Sequence, residues 1–305
     1  MSATKLFRIK TISEYHRRAG LSKPEHPLIS VVYYQDMQHM PIDTEKNTVL
    51  DFYSISIKRS SNNKYKYGQH QYDFDEGVMF FMAPNQIFGV ATGKNLEKPS
   101  GWMLLIHPDF LWNTSLASAI KKYEYFDYAA NEALFLSEKE EAILDQIIQN
   151  IQQEYHSNLD KFSKQIIISQ IEGLLSYSER FYNRQFITRE KANHQILERL
   201  EKWLADYFNN EDLIKKGLPT VQDISSSLNV SISYLGRLLK VLTGQSTQQH
   251  IHDKLIEKAK EKLSSTHLLI SEIAYELGFE HPQSFSKLFK TKTNLSPLEF
   301  RQSFN

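Results

Sequence analysis

Two octets, SYLGRLLK at 233–240 and QSFSKLFK at 283–290, sort into two faces when wound at 3.6 residues per turn. Gln283, Ser284 and Lys287 fall on one side of the second octet, with Phe285, Leu288 and Phe289 on the other. Ser233, Tyr234 and Arg237 take the matching outer places in the first, above Leu235, Leu238 and Leu239. An apolar floor beneath short hydrogen-bonding and cationic side chains suits a helix that reads base edges in the major groove of DNA. One such octet would pass for the plain surface of a helical hairpin. Its recurrence at like offsets, in the basic part of the chain, favours DNA.

The elements that must position these octets carry their own signals. ISSSLNVSISYLGRLLK (224–240) and IAYELGFEHPQSFSKLFK (273–290) overlay with one extra residue in the second, so the same device occurs twice. Each copy reads as a short helix, a turn at Asn229 or Gly278 where a left-handed backbone is tolerated, and a second short helix. Thr220 and Asp223 stand three apart as a capping-box variant, and Pro282 sits where a first helical turn needs no N–H. Together this is helix-turn-helix grammar. Ile251, Leu255, Ala259 and Leu263 form an i, i+4 stripe that predicts one continuous helix joining the copies. Two recognition helices held about 34 Å apart would enter successive major grooves. The charge is partitioned to match: residues 215–301 hold 12 Lys and Arg against 8 Asp and Glu, leaving 24 against 28 elsewhere in a chain of zero net charge.

ISEIAYELGFEHPQSFSKLFKTKTNLSPLEFR resembles the signature of the AraC/XylS family of bacterial transcription regulators. The resemblance is carried by Ile273-Ala274, Gly278-Phe279, Phe285, Phe289-Lys290, Ser296-Pro297 and Phe300-Arg301, and upstream by VSISYLGRLLKVLTGQS with its Gly244. It spans about residue 195 to the end and implies a seven-helix DNA-binding domain with two helix-turn-helix units. It also implies groove-facing roles for Ser233, Arg237, Gln283 and Lys287, and phosphate or support roles for Tyr234, Lys240, Ser246, Ser284 and Lys290. The sequence departs from the family pattern at Asn294, where glycine is expected, at Lys254 in place of arginine, and at Leu239 in place of phenylalanine.

The first 110 residues read mostly as strands: 28–34, 48–58, 77–82, 86–91 and 102–107 are short apolar or alternating runs rich in β-branched and aromatic residues. Turn signals at 61–63, 75–77, 83–85 and 92–94 separate them as in an antiparallel sandwich or barrel. Two amphipathic helices follow, one after Ser137 with Leu144, Ile147, Ile148, Ile151 and Tyr155 as its stripe, the other over about 161–182. They serve as domain core or as a face for a second subunit. The fold class expected is therefore α+β. It comprises a cupin-like β-barrel or sandwich sensor over 1–135, a helical dimerisation or packing segment over 136–184, a linker over 185–194, and an all-α DNA-binding domain over 195–305. The cupin likeness is loose and rests only on the order of elements.

His16, His26, His39, His70 and His107 supply no His-x-His pair and no His with a carboxylate at metal spacing inside a strand, so neither metal nor cofactor is expected. His70, Tyr72 and Trp102 form a candidate pocket for a small polar effector, against the plainer reading of an amphipathic strand with a polar rim. Without cysteine there are no disulfides or thiolate metal sites. Neither a leader-like apolar stretch nor an 18-residue apolar run is present, so a cytoplasmic protein with no membrane partner is expected. Two function classes compete. One is a ligand-responsive or dimerising regulator that binds promoter DNA as a homodimer, with RNA polymerase admitted as a partner. The other is a cupin-type metal-dependent enzyme with a helical interaction module.

Overall fold

The structure is a computed structural model that describes residues 7–38, 48–59, 66–67, 70–71, 77–88, 100–129, 132–157, 160–210 and 213–304. The chain divides into two compact units, Met1–Gln185 and Phe186–Asn305.

The first unit contains β1 (Phe7–Ile9), α1 (Ile12–Ala19), β2 (Ile29–Tyr33), β3 (Thr48–Leu50), β4 (Tyr53–Arg59), β5 (Lys66–Tyr67), β6 (His70–Gln71), β7 (Val78–Met82), β8 (Ile87–Phe88) and β9 (Ser100–Ile106). After them come α2 (Pro108–Leu111), α3 (Leu116–Ala119), β10 (Leu134–Phe135), α4 (Glu138–His156) and α5 (Ser163–Thr188), whose last residues lie in the second unit. Five strands form an antiparallel sheet in the order β10-β7-β4-β9-β2. A second sheet, β1-β3-β8, pairs β1 with β3 in parallel, and β5 with β6 makes a two-stranded ribbon. Among the described residues these sheets do not close into a barrel.

The central strand explains the layering. In β4 the side chains of Ile55, Ile57 and Arg59 alternate with those of Ser54, Ser56 and Lys58, so the two sets lie on opposite faces. The first face meets α4. Arg59 reaches Asp145 at 2.8 and 3.0 Å and also pairs with Glu141, while Trp102, beside Ile57 in the register, donates from its indole N–H to Asp145 at 2.7 Å. The Tyr155 hydroxyl of α4 accepts from the Val31 amide at 3.0 Å. The opposite face of the sheet packs on α1 and the small sheet, through a cluster that includes Ile9, Tyr15, Tyr34, Leu50, Phe52, Met103 and Leu105.

The run expected as one strand over 48–58 is broken at Asp51 and Phe52. The Asp51 amide bonds to the Ile9 carbonyl at 3.1 Å and its carboxylate takes Arg8 at 2.6 Å, so the chain steps from the small sheet to the large one. β1, α1 and β10 were not expected from strand runs. The turns at 61–63 and 92–94, the end of the 86–91 run, His39 and Tyr72 lie outside the described residues, as does most of the 75–77 turn.

The second unit contains α6 (Glu190–Phe208), α7 (Leu213–Lys216), α8 (Val221–Leu228), α9 (Ile232–Thr243), α10 (Thr247–Ser265), α11 (Ile270–Glu276), α12 (Pro282–Thr293) and α13 (Pro297–Gln302). These are eight helices among the described residues where seven were expected, α7 being a single turn. Residues 185–194, taken from sequence as a linker, are helical on both sides of Arg189, and Asn193 donates to the Phe186 carbonyl at 2.6 Å across that break. Among the described residues no helix is long and apolar enough to cross a membrane.

Asp145 accepts from both Arg59 and Trp102, so Asp145→Ala leaves the buried Trp102 indole N–H without its acceptor and Arg59 with Glu141 alone. Chemical denaturation followed by tryptophan fluorescence should lose about 1–3 kcal/mol of stability in the transition of the first unit.

Candidate nucleic-acid interface

Each helix-turn-helix unit is built by local stop signals over a shared core. In the first, Thr220 caps α8: its hydroxyl accepts from the Asp223 amide at 3.1 Å while the Asp223 carboxylate accepts from the Thr220 amide at 2.9 Å. The Thr220 hydroxyl and amide hold the Asp223 carboxyl below its ordinary pKa. Asn229 ends α8 in the left-handed region (φ 57°), and the Ser231 hydroxyl then caps α9 by accepting from the Tyr234 amide at 3.2 Å. In the second unit, Gly278 makes the turn at φ 85°, Pro282 opens α12, and Asn294 closes it at φ 63°, so asparagine performs the turn expected of glycine there.

The connecting helix α10 buries the predicted stripe of Ile251, Leu255, Ala259 and Leu263 in one core with Leu235, Leu239, Phe285 and Phe289. Leu239, which stands where the family commonly has phenylalanine, is fully buried in that core. Polar ties add direction. Asp253 of α10 accepts from Gln245, just past α9, at 2.9 Å and from Lys292 of α12 at 2.8 Å. Lys262 pairs with Glu276 of α11 at 2.6 Å. Asp253 thus connects the C-terminal ends of the two candidate recognition helices. Sequence reading missed it because Lys292 stands 39 positions from Asp253 in the chain.

Of the residues singled out, Gln283, Ser284, Lys287 and Lys290 are exposed on α12, opposite Phe285 and Phe289. Ser233 and Arg237 are half-buried on α9. Tyr234 does not lie on the outer face. It is 7% exposed and packs edge-on against Phe186 at 5.2 Å, because it stands one helical turn before the buried Leu238 and shares its side of the helix. Two support residues have identifiable tasks: Lys240 donates to the Gly244 carbonyl at 2.9 Å at the end of α9, and Ser246 caps α10 by accepting from the Gln249 amide at 3.3 Å.

Of the three expected effector residues, Trp102 turns its side chain to α4. Trp102 is 2% exposed and spends its indole N–H on Asp145. His70 is described only as part of β6, and Tyr72 lies outside the described residues. His16, by contrast, is a hydrogen-bonded core residue held by the Ser22 carbonyl (2.7 Å) and the Ser30 hydroxyl (2.9 Å). Burial lowers its pKa.

A family described as a helix-turn-helix domain matches residues 224–303, the span from α8 through α13. Residues 224–303 therefore form an AraC-type helix-turn-helix domain. Among curated relatives, it is similar to the HTH-type transcriptional regulator YisR of Bacillus subtilis, with 29% identity over 45% of this chain and 52% of that protein. It therefore spans about half the length of that relative. A second regulator of the same organism, YfiF, is 25% identical over 85% of this chain and 80% of its own length. Among solved structures, the C-terminal domain of AraT, a response regulator from Geobacillus stearothermophilus, is 32% identical over 35% of this chain and 84% of that domain, with a TM-score of 0.32. The helix-turn-helix match lends no support to the metal-dependent-enzyme reading.

A Cβ built on Gly278 would stand 2.9 Å from the backbone carbon of Gly217, in a conformation already foreign to L side chains. Gly278→Ala should accordingly cost about 1–3 kcal/mol in thermal or denaturant unfolding of the second unit and weaken DNA binding with it.

Proposed function

We propose that this protein binds specific double-stranded promoter sites through α9 and α12 and regulates transcription from them. The observation that supports this most directly is the doubled unit itself. Two short helices, each entered through a left-handed or capped turn, stand over one apolar core, and α12 presents exposed Gln283, Ser284 and Lys287. Within it, Ser233, Arg237, Gln283 and Lys287 face the groove, whereas Lys240, Ser246, Ser284 and Lys290 act on phosphates or support the helices. Tyr234, buried on Phe186, supports α9 rather than touching DNA. Domain roles follow the same proposal: the first unit, a cupin-like sandwich with α4 and α5, senses an effector or pairs two copies, and the second carries the DNA contacts. A homodimer in the cytoplasm, with RNA polymerase as the partner at the promoter, completes the reading.

Selection of bound sites from a random duplex library by the full-length protein, at fixed and stated salt, tests it. Enrichment of two short boxes about one helical turn apart supports two reading helices, and a failure to enrich any site rejects them. Arg237→Ala should lose about 1–3 kcal/mol of specific binding and relax preference at one base position, while Lys290→Ala should weaken all sequences alike. An unchanged site preference in Arg237→Ala would remove α9 from the groove.

A further inference from the structure

We propose that the first unit binds a small organic anion with an apolar body, and that the Lys58 ammonium is its counter-charge. The inference rests on the proposed sensor role of that unit and names the chemistry of what it senses. Lys58 lies on the face of β4 opposite Arg59. Arg59 is matched by Glu141 and Asp145, but Lys58 has no carboxylate among the described residues, and its ammonium stands over two rings, 5.2 Å from Phe80 and 5.7 Å from Tyr34. Aromatic faces attract a cation but do not neutralise it.

The surroundings extend the same chemistry. Ser56 and Ser54 follow Lys58 at two-residue steps along the same face, both buried, and the Thr48 hydroxyl of β3 is buried without a hydrogen-bond partner. Around them Met103, Leu105 and Tyr34 form apolar walls shared by the two sheets. A half-buried cation over two rings, with buried hydroxyls and apolar side chains beside it, fits a ligand with a carboxylate or similar anionic head and a hydrocarbon or aromatic body. The unpaired ammonium is costly in the absence of such a ligand: desolvation pulls the Lys58 pKa down from its ordinary 10.5 to about 8. An arriving anion would restore the charged form and stabilise the folded unit.

The test follows the melting of the full-length protein with benzoate and octanoate as probes, each beside its alcohol, benzyl alcohol or octanol. At neutral pH at least one acid should raise the melting temperature by about 2 °C or more at millimolar concentration, and neither alcohol should match it. The acid's effect should weaken as pH rises from 7 to 9.5, because binding then requires Lys58 to take up a proton, a readout that needs no variant. In Lys58→Met the acid should lose its advantage over the alcohol, and Lys58→Arg should retain it. Equal shifts from acid and alcohol, equal shifts in Lys58→Met, or no shift from either acid would overturn the proposal. Site selection on DNA is measured separately. Its failure alongside a Lys58-dependent acid effect would reject the regulator reading alone, and intact selection without an acid effect would reject this site alone.

Discussion

Gly278 lies against the backbone of Gly217, and that approach, closer than any side chain permits, fixes how α12 leaves α11. Only a residue without Cβ can both adopt φ 85° and sit there. From this turn the positions of Phe279 and Phe285 follow. Their rings meet edge-on at 5.5 Å inside the core of the second unit, and the Phe285 ring in turn meets that of Phe289 at a tilt, 5.8 Å between centroids. The outward aim of Gln283, Ser284 and Lys287 is the complement of that burial. A helix so anchored on one side has no freedom to rotate its other side away.

The second unit was largely legible because its instructions are local. Thr220 with Asp223, Asn229, Pro282 and Asn294 each act within a few residues of themselves, and each does in the structure what its type and place dictate. Tyr234 was misplaced because its partner, Phe186, lies 48 positions away in sequence, beyond the reach of a helical wheel. A phenol ring at the boundary between two faces is settled by whichever apolar surface covers it.

The first unit was legible only in outline. Strands β2, β4, β7 and β9 were visible as apolar runs, but their pairing joins residues far apart, and alternation does not tell which face meets a helix. Trp102 suggested a pocket wall and proved to be a buried donor to Asp145, 43 residues further on. One element was more readable than strand runs suggested. Thr11, whose hydroxyl accepts from the Glu14 amide, and left-handed Gly20 bracket α1 with start and stop signals that its eight residues could have announced. Lys58 gave no signal at all. In an alternating strand it looks like one more solvent-facing polar residue, and only the tertiary fold reveals the two rings beside its ammonium.

The capped ends of α8, α10 and α13 separate two properties of the second unit. Folding information resides in the caps, the left-handed turns and the apolar floor, and almost none resides in the exposed residues of α12. Gln283, Ser284 and Lys287 can therefore be exchanged for other side chains at little cost to the scaffold. Under the proposed DNA-reading role, surface substitution alone would change the sites that are read, with the architecture inherited intact.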